Sequence, residues 1–279
     1  MIDVQLNPFQ GEEHRPFILN GDKGAVLLVH GFPGSPRDMR DIAELVHNHG
    51  WTAKAILLPG FGADIEHITD YTNKDWVATV HAQLLDLQRD HKRVILVGHS
   101  LGGAISVQVA AQIPPDALIL AAPFWKFDHI AWKAIPIVNI LFPRPRLFKY
   151  LRLDYSKPDV RDGIHNFMPD ADLDDPEVRK AIANFRLPVK TFAQIHRAGH
   201  AAYADAPKIT CETLVLQGQQ DDLVSPKLTQ EFVHRLGVKS RYVEVDAEHD
   251  LVSSELPSWS AMQNAIITFI QHFQQEVCS

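Results

Sequence analysis

Five residues near the middle of the chain, Gly98-His99-Ser100-Leu101-Gly102, constrain its fold more than any other segment. An apolar run, Arg93 to Val97, precedes them and reads as a buried strand. Leu101 to Ile113 follows, apolar around most of its circumference, and reads as a buried helix ended by Pro114-Pro115. So short a link between strand and helix must turn sharply, holding its serine in a strained conformation that exposes the hydroxyl. Side chains two residues before and after the serine would collide across that turn, so glycine stands at both places. The serine then lies at a helix N-terminus, where the dipole and free N–H groups favour developing negative charge. The pattern G-x-S-x-G makes Ser100 the candidate nucleophile.

The rest of the chain suits the parallel sheet that such a turn requires. Short β-rich runs alternate with helical periodicity, the mark of strands joined by crossover helices. Ala25 to Val29 reads as a strand ending at His30-Gly31. Ser35-Pro36-Arg37-Asp38 then supplies an N-cap, a proline at the first helical position and an acid near the capping-box position. Met39, Ile42, Ala43 and Val46 follow at helical spacing, and Gly50 stops that helix. Ala53 to Leu58 is the next expected strand, and a polar loop runs from Pro59-Gly60 to Asn73. A helix near Lys74 presents Trp76, Val80, Leu84 and Leu87 on one face, and Ala117 to Leu120 is a further strand. From residue 123 to about 187 the alternation breaks, and prolines, aromatics and charges read as an insertion over one edge of the sheet. A helical stretch from about Pro188, strands at Thr213–Gln217 and Ser240–Val245, and a helix after Pro226 resume the pattern. The last helix carries Trp259, Met262, Ile266, Phe269, Ile270 and Phe273 as one apolar stripe.

Composition narrows the class of function. At 279 residues the chain can bury roughly three quarters of its unfolded surface, so its core needs no disulfide or metal. The net charge of −7 argues against nucleic acid, whose phosphates call for clustered Lys and Arg. Two cysteines, Cys211 and Cys278, form neither a disulfide framework nor a metal spacing and suit a reducing compartment. The N-terminal residues lack the basic and apolar regions of a signal peptide, and no run reaches the ~18 apolar residues of a membrane span. A cytoplasmic, soluble protein is expected.

A serine at its ordinary pKa is a weak nucleophile and needs a histidine base oriented by a carboxylate, here in the chain order Ser, acid, His. The acid is expected in Gln217-Gly218-Gln219-Gln220-Asp221-Asp222, which follows a late strand and so sits at the same end of the sheet as Ser100. Asp221 is preferred, with Asp222 as the alternative. The base is expected at His249 in Ala247-Glu248-His249-Asp250, after the last strand. A tetrahedral intermediate also needs pre-aimed N–H donors. The amide of Leu101 is one, and Phe32 in His30-Gly31-Phe32-Pro33-Gly34 is the candidate for the other, since Pro33 has no N–H. His196 and His200 have the i, i+4 spacing of metal ligands but no third ligand nearby, so a helix face is the simpler reading.

With these residues placed, the chain resembles the bacterial carboxylesterase and monoacylglycerol lipase group of α/β-hydrolases. The resemblance rests on His30-Gly31-Phe32-Pro33-Gly34, Leu58-Pro59-Gly60-Phe61-Gly62, Gly98-His99-Ser100-Leu101-Gly102-Gly103, Asp221 with Val224 and Pro226, and His249. It implies an α/β-hydrolase fold: a mostly parallel central sheet with helices on both faces and an inserted cap. Residues 1–122 and 188–279 would form the core and 123–187 the cap, while the first 24 residues leave room for only one or two short edge strands. It implies hydrolysis of a small-molecule ester with an apolar acyl chain, through an acyl-enzyme and with no cofactor. Large apolar residues of the insertion, among them Phe124, Trp125, Phe127, Trp132 and Phe142, would in part line an acyl pocket. Thioester or carbon–carbon bond hydrolysis by the same triad is the alternative. A non-catalytic ligand-binding protein on this fold is the remote one.

Overall fold

The computed structural model describes residues 9–126, 154–167, 171–184, 189–238 and 240–275. Its strands are β1 (Phe17–Leu19), β2 (Ala25–Val29), β3 (Thr52–Ile56), β4 (Val94–His99), β5 (Ala117–Ala121), β6 (Glu212–Gly218) and β7 (Arg241–Val245). They form one sheet in the order β1-β3-β2-β4-β5-β6-β7. Each neighbouring pair is parallel except β1 with β3. Every residue of β2, β4 and β5 is buried, which is why these strands read as continuous apolar runs rather than alternating ones.

The helices are α1 (Arg40–Asn48), α2 (Asn73–Asp90), α3 (Leu101–Ala110), α4 (Pro158–Phe167), α5 (Pro176–Asn184), α6 (Val189–Asp205), α7 (Pro226–Val233) and α8 (Trp259–Gln275). Two cores follow from the alternation of side chains along each strand. Val26, Leu28, Ile95, Val97, Ile119 and Leu216 pack against α1 and α8. Leu27, Val29, Leu96, Leu118, Leu120 and Val215 pack against α2, α3 and α6 on the other face. Trp76, Val80, Leu84 and Leu87 form the buried stripe of α2, each worth ~1.5–3 kcal/mol when fully buried.

Several boundaries differ from expectation for identifiable reasons. Among the described residues the N-terminal segment contributes one strand, β1, within the one or two expected. Strand β3 ends at Ile56 rather than Leu58, because the Leu58 N–H turns away to donate to His30 Nε2 at 3.2 Å. The expected polar loop contains a 3₁₀ segment, Gly62–Asp70. Its Ile65 and Ile68 are buried three residues apart, the repeat of that helix type. Helix α3 stops at Ala110, three residues short of Ile113.

Of the expected cap, residues 127–153, 168–170 and 185–187 lie outside the described residues, and with them Phe127, Trp132 and Phe142. Helices α4 and α5 belong to its described part. Phe124 and Trp125, expected in the insertion, are buried in the α2/α3 core. The Trp125 ring stacks on Tyr203 at 4.3 Å. Lys126 Nζ lies 4.4 Å over Trp125, and the Arg235 guanidinium 4.5 Å over Tyr203. Trp125 Nε1 donates to the Leu228 carbonyl at 2.8 Å, and a Cβ on Gly199 would stand 2.4 Å from the Trp125 carbonyl oxygen.

Candidate active site

Ser100 stands between β4 and α3 with φ 50° and ψ −115°, a left-handed conformation costly for a residue with a side chain. Backbone bonds hold it there. The Ser100 N–H donates to Ala121 O at 2.9 Å, and Ser100 O accepts from Phe124 N at 3.1 Å and Ala104 N at 3.2 Å. The flanking glycines are dictated by contact. A Cβ on Gly98 would lie 2.5 Å from Gly102 O, and one on Gly102 would lie 2.2 Å from Val29 O.

The C-terminal ends of β6 and β7 carry the partners of Ser100. His249 Nε2 lies 2.9 Å from Ser100 Oγ, and His249 Nδ1 lies 2.8 Å from Asp221 Oδ2. The two loops are joined by Gln219 N to Val245 O at 2.9 Å and Gln220 N to Ala247 O at 3.0 Å. Asp221, not Asp222, meets His249: Asp221 is buried and Asp222 is exposed. Asp221 Oδ1 accepts the N–H groups of Leu223 at 3.0 Å and Val224 at 2.8 Å. Burial pushes this carboxyl up, but the His249 hydrogen bond and charge, the Val224 N–H and the Gln217 amide outweigh it and leave it below the usual carboxylate value.

The loop after β2 closes the site from the other side. A Cβ on Gly31 would approach Ser100 Cβ to 3.2 Å. Burial pushes the His30 imidazole down to about 4, so it stays neutral at ordinary pH. Its ring nitrogens bridge the Gly31 carbonyl at 2.8 Å and the Leu58 N–H at 3.2 Å, fixing the base of the loop. Asp38 accepts the Ser35 N–H at 3.0 Å, the capping interaction expected there. The Phe32 ring packs edge-on against Phe61 and Phe192, with centroids 6.1 and 5.8 Å away. Among the described residues, neither the Phe32 nor the Leu101 N–H meets a protein acceptor.

Two residues here have contacts that sequence reasoning did not assign. His99 is buried with its pKa lowered, first by burial and then by His249, and its Nε2 donates to the His249 carbonyl at 3.2 Å. Gln217 donates to Asp221 Oδ2 at 2.9 Å. A polar residue closing an apolar strand beside the acid loop is the only sequence signal for it. His196 and His200 sit with ring centroids 4.2 Å apart. Among the described residues, no group of three or more His, Cys, Asp or Glu could hold a metal ion, and no helix is long and apolar enough to cross a membrane.

A parallel sheet with one antiparallel edge strand, a serine on a strand–turn–helix elbow, and an aspartate and a histidine on later strand ends define an α/β-hydrolase. More narrowly, the chain belongs to the Hydrolase_4 family, described as serine aminopeptidase, S33, whose model matches residues 21–275. It is 28% identical over 211 residues to a thermostable monoacylglycerol lipase of Bacillus sp. (strain H-257), covering 76% of each chain. Its fold is similar to that of a metagenome-derived lipolytic enzyme of the LipS and LipT pair (20% identity, TM-score 0.70, 94% of this chain and 98% of that one). It is also similar to the monoacylglycerol lipase of Paleococcus ferrophilus (19% identity, TM-score 0.67, 91% and 96% covered).

Proposed function

We propose that the protein hydrolyses carboxylic esters through a Ser100–His249–Asp221 triad. The observation that carries this reading is the hydrogen-bonded row Ser100 Oγ, His249, Asp221, at 2.9 and 2.8 Å, built on the strained elbow. Relatives named monoacylglycerol lipase and carboxylesterase support the ester as the bond cleaved. His249 takes the Ser100 proton as Oγ attacks the ester carbonyl, and Asp221 orients the imidazole and stabilises its charged form. The Phe32 and Leu101 N–H groups receive the oxyanion, where losing a single donor typically costs on the order of 10²–10³ in rate. His249 returns the proton to the leaving alcohol. Water then attacks the acyl-enzyme by the same route.

The substrate in this reading is a small ester with an apolar acyl chain, taken up beneath a cap drawn from the insertion that follows Trp125. Cytoplasmic residence belongs to the same reading, supported by the buried free thiol of Cys211. A panel of monoacylglycerols and p-nitrophenyl esters of increasing chain length tests it, with Ser100→Ala as control. Turnover that Ser100→Ala abolishes, and fluorophosphonate labelling of wild type alone, are expected. Ester turnover surviving in Ser100→Ala refutes the triad, and rates indifferent to acyl length refute the acyl pocket.

A further inference from the structure

Asp221 is held by a partner that acyl transfer itself does not demand. Gln217, at the end of β6, is fully buried in a strand otherwise apolar from Leu214. Its Nε2 lies 2.9 Å from Asp221 Oδ2, 3.0 Å from Val224 O and 3.1 Å from Gly218 O. All three are acceptors, so the amide nitrogen, not its oxygen, must face them. On the other side, Oε1 accepts the hydroxyl of Thr229 on α7 at 2.5 Å, and Thr229 is also fully buried. A buried amide without partners costs free energy, and an apolar residue would fill the same space without needing Thr229. Here Asp221, two carbonyls and Thr229 together satisfy the amide.

We propose that Gln217, locked by Thr229, is a positioning residue that fixes which Asp221 oxygen faces His249 and makes that oxygen a weaker base. This rests on Asp221 being the triad acid. Oδ2 receives two donors, His249 Nδ1 and Gln217 Nε2, while Oδ1 receives the Leu223 and Val224 amides. Without the Gln217 donor the carboxylate binds the His249 Nδ1 proton more tightly, and Oδ2 loses the contact that sets its place opposite the imidazole. Among the described residues, His99 at the elbow is charge-coupled to Asp221, His249 and Asp250, while β6 faces Asp221 with the uncharged Gln217, itself bonded to Thr229 of α7.

Gln217→Met removes the amide while keeping the length of the side chain. With p-nitrophenyl butyrate, kcat should fall roughly 10-fold with KM little changed, and the acid limb of kcat/KM should move up by about one pH unit. Thr229→Val should shift the limb in the same direction by a smaller amount, and Thr229→Ser should restore it. A packing role alone would lower Tm and leave the limb in place. Unchanged kcat and limb in Gln217→Met, beside an inactive Asp221→Asn, overturn the proposal. Should Gln217→Met not fold, an unmoved limb in Thr229→Val overturns it. An Asp221→Asn variant of full activity removes the triad reading instead, together with what rests on it.

Discussion

Replacing Asp221 by Asn changes one atom, and the surrounding donors dictate the outcome. Oδ1 accepts two backbone N–H groups, at 2.8 and 3.0 Å, so the amide oxygen of Asn must stay on that side. The NH₂ group is then forced to the Oδ2 position, facing His249 Nδ1 at 2.8 Å and Gln217 Nε2 at 2.9 Å. To accept from it, His249 must lose its Nδ1 proton and carry one on Nε2, aimed at Ser100 Oγ. That tautomer cannot take the serine proton. The expected loss in kcat is on the order of 10⁴, the size seen when a triad aspartate elsewhere becomes Asn, or ~5 kcal/mol of barrier. Opposed N–H groups of Asn and Gln217 also cost ~1–3 kcal/mol of stability. At about 2–4 °C per kcal/mol, calorimetry should resolve that fall in Tm. Steady-state hydrolysis of p-nitrophenyl butyrate reads the first effect. A variant that folds like wild type and keeps kcat within tenfold of it refutes the tautomer reasoning.

Other outcomes follow from single contacts. Gly102→Ala puts a methyl group 2.2 Å from Val29 O and 2.5 Å from His30 O, both backbone, and should cost about 3 kcal/mol in urea unfolding with loss of activity. Gly103→Ala, whose methyl meets Pro123 at 3.2 Å, should cost roughly 1 kcal/mol, so equal effects at the two positions would refute the steric account. Burial raises Asp38 from 3.8 to about 6, so between those values the folded protein holds the proton more tightly and stability falls as pH rises. Asp38→Asn keeps an acceptor for Ser35 N–H and should gain on the order of 1–3 kcal/mol relative to wild type between pH 4 and pH 8, and parallel Tm profiles would refute this. Cys211, its thiol pushed up to about 11 by burial, should resist a thiol reagent at pH 8 in a Cys278→Ser background until guanidinium unfolds the chain.

What can be read from the sequence and what cannot divide along a physical line. Ser100 and Asp221 are legible because each follows an apolar strand that meets glycine, and His249 because it follows the last strand and lies downstream of the acid. The two apolar faces of the sheet are legible for the same reason. Gln217 and Thr229 are not, because a buried glutamine and an exposed one look alike in sequence, and their bond depends on how α7 packs over β6. Helical spacing of Ile65 and Ile68 was hidden among charged neighbours, so Gly62–Asp70 reads as loop. Leu58 shows how a strand can be cut short by a side chain 28 residues away, which no local pattern records.

The stack Lys126–Trp125–Tyr203–Arg235 has a consequence for how such a chain can diversify. It clamps the point where the backbone leaves the sheet to the helix on which it returns, so exit and re-entry are held together by the body itself. Whatever runs between them inherits a ready-made splice site. Exchanging that stretch for one of different length or composition leaves the elbow and the loops after β6 and β7 in place.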